Sequence, residues 1–241
     1  MSRWPLYTRQ DEASARGDTV WSPLTVLDAP PGRTNEPWAW ATDLNPLDPQ
    51  FDAALRRIQS EMPKRVVLPT GWLAAGPLER SARTWGSEGV AALDQACKRI
   101  CPWAEGRQVR VLLRPHCRHV LSDVQRSVAF LREHAGSAIG LMLDPCALLE
   151  ESMLAQAEDH LRLALVHLGP LAEGVWLAGV RFAPGGLPED PASPVPTPLD
   201  EGDVPAALLL QLVRAHIPSG MPIVLEPGGV LRQAAILSAA E

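Results

Sequence analysis

The sequence of 241 residues predicts an α/β fold built on a parallel sheet, and three observations carry that prediction. Short apolar runs rich in Val, Ile and Leu recur along the chain, segments with helical spacing separate them, and the apolar runs end on polar residues. Continuous apolar runs bounded by Gly, Pro or charge mark strands buried on both faces, and helices are the usual crossovers between parallel strands.

The runs, in order, are "VWSPLTVLDAP", "RVVLPTG", "VRVLLRPH", "IGLMLDPC", "VWLAGVRF" and "PIVLEPG". Between them, Pro49–Met62 puts Phe51, Leu55, Ile58 and Met62 on one face, with Asp48 as its cap. Helices are also expected over Ser87–Cys101, Ser122–His134, Glu150–Leu168, Asp203–Ile217 and Val230–Ala239. In the second of these, Ser122 is the expected N-cap and Gly136 lies just past the end. An open doubly wound sheet and a closed barrel both satisfy this rhythm. In a barrel the chemistry gathers at the carboxyl ends of the strands, where this chain places Asp28, Thr70, Arg114, Asp144, Arg181 and Glu226.

Residues 1–18 are polar and aperiodic and are expected to form a flexible arm ahead of a single domain over 19–241. The Pro-rich stretch 183–203 follows the fifth run and is either a lid or wall over the site or a surface excursion.

Composition narrows the function. With 46% hydrophobic residues the chain can bury a sizeable core, and a formal net charge of -6 offers no broad basic surface for nucleic acid or an anionic membrane. Only Lys64 and Lys98 among 22 basic residues are lysines, a bias expected of a GC-rich bacterial gene. Four cysteines make no disulfide framework in a chain this long, no leader pattern opens it, and the longest apolar region, Leu161–Val180, is broken by Arg162, His167, Pro170 and Glu173. A cytoplasmic protein without a membrane span is therefore expected. Gly-rich phosphate loops, a Gly-x-Ser-x-Gly elbow and paired CxxC motifs are absent.

Candidate site residues follow from position. His116 and His119 in "RPHCRH" come directly after a strand, whereas the other histidines fall in helices. Trp38, Trp40 and Trp72 could line a pocket that stacks a sugar ring or base, or fill core. Asp144 ends an apolar strand as a site carboxylate or as the cap of the turn made with Pro145 and Cys146.

From Ser22 to Gly228 the chain resembles the xylose isomerase-like TIM-barrel superfamily of sugar-phosphate isomerases and epimerases and endonuclease IV. The likeness rests on "VVLPTG" with its following helix, "VRVLLRPH", "IGLMLDP", and the pair "PLDEGDVPAALLLQL" and "MPIVLEPG". It implies a TIM-barrel-like domain in which these six strands are the third to eighth, leaving an incomplete barrel whose open seam belongs to a shortened chain or is covered by a second copy or a partner. It also implies a divalent metal (Mn, Mg or Zn), if the family site is retained, held by Asp144, Glu226 and His116. Here Arg114 stands where the first metal-binding Glu is expected, Leu177 aligns with the seventh-strand His and Pro69 with the fourth-strand His. Two carboxylates beside a guanidinium are a poor offer to a divalent ion, so the expectation is no cofactor, with Arg114 between Asp144 and Glu226 in the metal's place.

Two functions follow from the resemblance. The leading one is a small-molecule, sugar-binding or non-catalytic relative with a degenerate metal site. The alternative is an active sugar-phosphate isomerase or epimerase, with Asp144, Glu226 and His116 as acid/base groups and Arg114, Arg181, Trp38, Trp40, Trp72 and Asp28 around the substrate.

Overall fold

The computed structural model describes residues 4–9, 21–27, 36–58, 61, 63–183 and 192–239. Its strands and helices run β1 (Leu6–Arg9), β2 (Ser22–Val26), β3 (Ala39–Ala41), α1 (Phe51–Ile58), β4 (Arg65–Pro69), α2 (Ala82–Trp85), α3 (Ser87–Glu105), β5 (Arg110–Arg114) and α4 (Val124–Glu133). There follow β6 (Ile139–Leu143), α5 (Ala157–Leu168), β7 (Ala172–Leu177), β8 (Gly179–Ala183), β9 (Ser193–Thr197), α6 (Ala206–His216), β10 (Ile223–Leu225) and α7 (Val230–Ala239). The expected α/β barrel is present: eight strands close in the order β1-β10-β7-β6-β5-β4-β3-β2, while β8 and β9 form a separate hairpin. Among the described residues no helix is long and apolar enough to cross a membrane.

The ring is complete where an open seam was expected. Leu6–Arg9, in the stretch read as an arm, is a barrel strand parallel to β10 and antiparallel to β2. The run read as a first parallel strand, β2, runs against both neighbours, and the short "AWA" of β3 returns the chain to the parallel direction beside β4. Two reversals thus span the gap that two strand–helix units would otherwise fill, and every ring strand has a partner on both sides. Polarity hid β1 because only Leu6 of its four residues is buried. Trp4 anchors it: this side chain is 1% exposed and its indole N–H donates to the Pro218 carbonyl at 2.9 Å.

Inside the ring, Leu24, Ala39, Ala41, Val67, Leu112, Met142, Trp176 and Val224 form the central packing. Alternate residues of each strand face outward to the helices. Leu141, Leu143, Val175, Leu177, Ile223 and Leu225 pack against α5 and α6, and Val66, Leu68, Val111 and Leu113 against α1 and α3. At the amino end glycine makes room for larger neighbours: a Cβ on Gly174 would lie 2.7 Å from the Trp38 ring.

Helix boundaries move slightly from expectation. The N-cap of α4 is Asp123, which accepts the Arg126 N–H at 2.8 Å, and not Ser122. Glu151–Gln156 forms a tighter 3₁₀ turn ahead of α5, and Met62 lies outside the described residues. "VWLAGVRF" is two strands: the chain leaves the barrel at Ala178 and turns into the hairpin, so the Pro-rich stretch supplies β9 as a wall above the ring. Residues 184–191 of that stretch lie outside the described residues.

Because Trp4 seals the strand that closes the ring, Trp4→Ala is expected to cost about 3–5 kcal/mol in urea unfolding. A loss below about 1 kcal/mol, the size of an ordinary surface change, would show that β1 is not docked as described.

Candidate functional site

The site follows from the period-two alternation of the strands. One step beyond the central packing, at the carboxyl ends, come Arg9, Asp43, Pro69, Arg114, Asp144, Ala178 and Glu226. A cavity of about 200 Å³ opens among them, walled by Asp43, Pro69, Trp72, Arg114, His116, His119, Asp144 and, from the hairpin, Val180, Pro194 and Pro196.

Arg114 occupies the axis. Its guanidinium carbon lies 4.4 Å from the centroid of the Trp176 ring, within cation–π range, and that indole N–H donates to Glu226 Oε2 at 2.8 Å. Among the described residues the one ion pair of Arg114 is with Asp43, at 3.6 Å, while Arg9 holds the other oxygen of Asp43 more closely, at 2.6 Å. Glu226 is thus fixed by an indole and neighboured by two guanidiniums. Burial nevertheless pushes its carboxyl above the ordinary value, against the hydrogen bond from Trp176 and the charges of Arg114 and Arg9.

Asp144 is 3% exposed and its Oδ1 accepts the Ala147 N–H at 3.1 Å. Burial pushes its carboxyl from 3.8 up to about 7, although Arg114 and the amides of Ala147 and Cys146 favour the ionised form. The turn-capping role is therefore real, and it leaves a carboxyl at the cavity wall poised between its two protonation states. The expected ion pair between Arg114 and Asp144 is not formed: stacking on Trp176 holds the fork beyond contact with either buried carboxylate, so Arg114 acts on both through its charge alone.

The loop after β5 supplies two imidazoles. His116 Nδ1 accepts the Arg118 N–H at 3.0 Å, so a neutral ring carries its proton on Nε2. His119 is sandwiched, with ring centroids 5.1 Å from Trp72 and 4.7 Å from His116; neither of its nitrogens has a hydrogen-bond partner of normal geometry, and the Pro77 carbonyl makes only a looser contact with the ring. Burial lowers both imidazoles well below the usual histidine range, His119 to about 3, with the charge of Arg114 acting in the same direction. Both rings are neutral at physiological pH.

The loop itself is held by Arg118, 1% exposed, which pairs with Glu150 at 2.5 Å and donates to the Ala192 carbonyl at 3.2 Å where the hairpin begins. The buried thiols of Cys117 and Cys146 are pushed up, the former to about 12, which leaves them protonated and inert.

Of the other residues singled out in the sequence, Trp72 lines the cavity. Trp38 precedes β3 and so sits at the opposite, amino end of the barrel, against Gly174 and under Arg65. Trp40 packs on the outer layer, and Arg181, on the hairpin, donates to the Glu201 carbonyl. Asp28 lies outside the described residues. Arg9, Asp43 and Trp176 were missed. Counting by two from Ala41 finds Asp43, and the same count on β7 places Ala178, not Leu177, at the mouth.

The divalent ion that the resemblance implies finds no ready ligand set here. Among the described residues no three His, Cys, Asp or Glu side chains gather as metal ligands. The nearest candidates have given atoms to internal bonds: Asp144 Oδ1 to Ala147, Glu226 Oε2 to Trp176 and His116 Nδ1 to Arg118.

No family model and no curated protein matches the sequence. Solved structures do match its fold. A xylose isomerase domain protein from Planctomyces limnophilus superimposes with a TM-score of 0.53 at 12% identity, over 81% of this chain and 66% of that one. The 3-keto-D-glucoside 4-epimerase of E. coli gives 0.52 at 17% identity, over 83% and 77%, and an L-ribulose 3-epimerase 0.51 at 15%, over 84% and 70%. The chain thus shares the xylose isomerase-like barrel fold and spans just under two thirds of the length of the first of these proteins.

An acid held above its unfolded-state value costs stability as pH rises between the two. Asp144, moved from 3.8 to about 7, is thus expected to cost the folded state up to about 4 kcal/mol across that interval. Asp144→Asn removes this part of the slope, so urea unfolding between about pH 4 and 7 should show a flatter profile for the variant. Parallel profiles would mean that the carboxyl ionises as it does in water.

Proposed function

We propose that the chain is a metal-independent binding protein for a monosaccharide-sized ligand, with a degenerate metal site in a barrel whose structural neighbours include sugar epimerases. The observation that carries this reading is the Arg114 guanidinium stacked on Trp176 at the barrel axis, where a cation is supplied by the chain itself. A fixed guanidinium polarises or binds a ligand oxygen but cannot accept its lone pairs as an open metal coordination site does.

The rest of the cavity suits a small ring. Pro69, Trp72, Pro77, Leu78 and Val180 offer apolar surface to the C–H face of a sugar, and Asp144, His116 and His119 cluster the polar groups on one side.

A second reading rests on Asp144. A cavity carboxyl near 7 is matched to proton transfer at neutral pH, and Glu226 is a second carboxylate pushed the same way. In that reading the pair moves a proton next to a ligand carbonyl while Arg114 steadies the developing oxyanion.

Calorimetry in EDTA against a panel of ketoses, aldoses and sugar acids, with elemental analysis of the purified protein, tests both. Binding of a panel member is expected without metal, weakened at least about tenfold by Arg114→Ala, the loss of one charge-assisted contact. Stoichiometric metal that disappears in Asp144→Ala would overturn the metal-free site. Ketose isomerisation abolished by Glu226→Gln would establish the second reading instead.

A further inference from the structure

We infer that the cavity reads a carboxylate, that its ligand is a monosaccharide-sized hydroxy acid, and that His119 is a ligand-binding residue acting beside Arg114 and His116. The inference rests on the binding function proposed above and names the class of ligand.

It starts from an inventory of unused hydrogen-bonding atoms. Among the described residues the Arg114 guanidinium makes no hydrogen bond, and its only ionic partner, Asp43, stands at 3.6 Å and is bound more tightly by Arg9 at 2.6 Å. The N–H donors of Arg114 are therefore uncommitted at the cavity wall, although its charge is felt by Asp43, Asp144 and Glu226. By contrast Arg118, the other arginine of this loop, is neutralised by Glu150 and turned away toward the hairpin.

His119 adds the second observation. Its ring is 6% exposed, locked between Trp72 and His116, and both nitrogens lack partners of normal geometry while the ring lines the cavity. Leaving a buried polar group unmet costs stability, and such a group is retained where a ligand completes it. His116 presents its Nε2–H to the same region, because Nδ1 is taken by the Arg118 amide.

These groups are mostly donors: a guanidinium fork and one N–H from each neutral imidazole. A sugar hydroxyl both donates and accepts, whereas a carboxylate only accepts and matches a planar fork bidentately. Of the acidic side chains nearby, Asp43 is already paired with Arg9, and burial raises the carboxyls of Asp144 and Glu226, which weakens their repulsion of such an anion. The apolar wall and the remaining oxygen of Asp144 then face the hydroxylated body of the ligand.

Matched pairs that differ only at the acid group test this: glucose with glucuronate, galactose with galacturonate, glucose with gluconate, titrated calorimetrically in EDTA. The acid is expected to bind at least about tenfold more tightly in one pair or more, the value of one charge-assisted hydrogen bond. His119→Phe keeps the stack and deletes both nitrogens. It should abolish most of that preference, reduce neutral-sugar binding far less, and leave the melting temperature unchanged or raised. His119→Gln, which restores a donor, guards against a packing artefact and should recover part of the preference. Neutral sugars binding as well as their acids, or a preference unaltered by both variants, would overturn the inference while leaving metal-free sugar binding intact. Absence of binding by every member would defeat both.

Discussion

A guanidinium resting 4.4 Å from the centre of an indole, on the axis of a closed barrel, governs the arrangement around it. Trp176 fills the middle of the ring and needs a partner for its buried N–H, which Glu226 provides. With Glu226 committed to the indole and Arg114 spread over the ring face, neither is free to converge on a shared ion. Asp43 and Arg9 then balance charge from the rim, and Asp144, left without a direct cation, keeps its proton to higher pH. The perturbed titration at the mouth is thus a consequence of packing at the centre: one large aromatic residue in the ring fixes where the Arg114 guanidinium lies.

That arrangement needs a ring with no open edge. The chain closes it economically, with a four-residue strand pinned by Trp4 and a three-residue strand that restores the parallel direction after one antiparallel segment. Economy at the closure is matched by elaboration at the mouth. The hairpin after β7 brings Val180, Pro194 and Pro196 over the cavity, and Arg118, itself paired with Glu150, ties the histidine loop to it through the Ala192 carbonyl. The imidazoles are held by their own loop and by Trp72, and the loop, which carries no regular structure, is tied to its neighbours by the Val120 N–H on the Gly71 carbonyl and the Cys117 N–H on the Ala147 carbonyl.

Legibility in the sequence followed contact range. The runs at β4, β5, β6 and β10 were readable because both faces of such strands are buried and the apolar signal is continuous. Arg114, Asp144 and Glu226 were readable because each ends such a run. Strand β1 was not, since only Leu6 of its four residues is buried and its parallel partner β10 lies at the far end of the chain, with Leu6 beside Ile223. The splitting of "VWLAGVRF" was equally hidden: an apolar strand and an apolar hairpin arm look alike until Gly179 and Gly202 are seen to touch.

The sequence by itself determined the alternation of strand and helix, the face on which polar residues gather, and the presence of an arginine where a metal-binding carboxylate is expected. These are local properties, carried by side-chain type and by the period of the backbone. Only the tertiary structure decided that the ring closes, that Arg114 stacks on Trp176 and pairs with Asp43 rather than Asp144, that Trp38 and Trp40 belong to packing, and that His119 is buried between Trp72 and His116. Each of those outcomes depends on distances between residues far apart in the chain, and the energies involved, stacking, ion pairing and desolvation, are set by such distances and by nothing a linear pattern records.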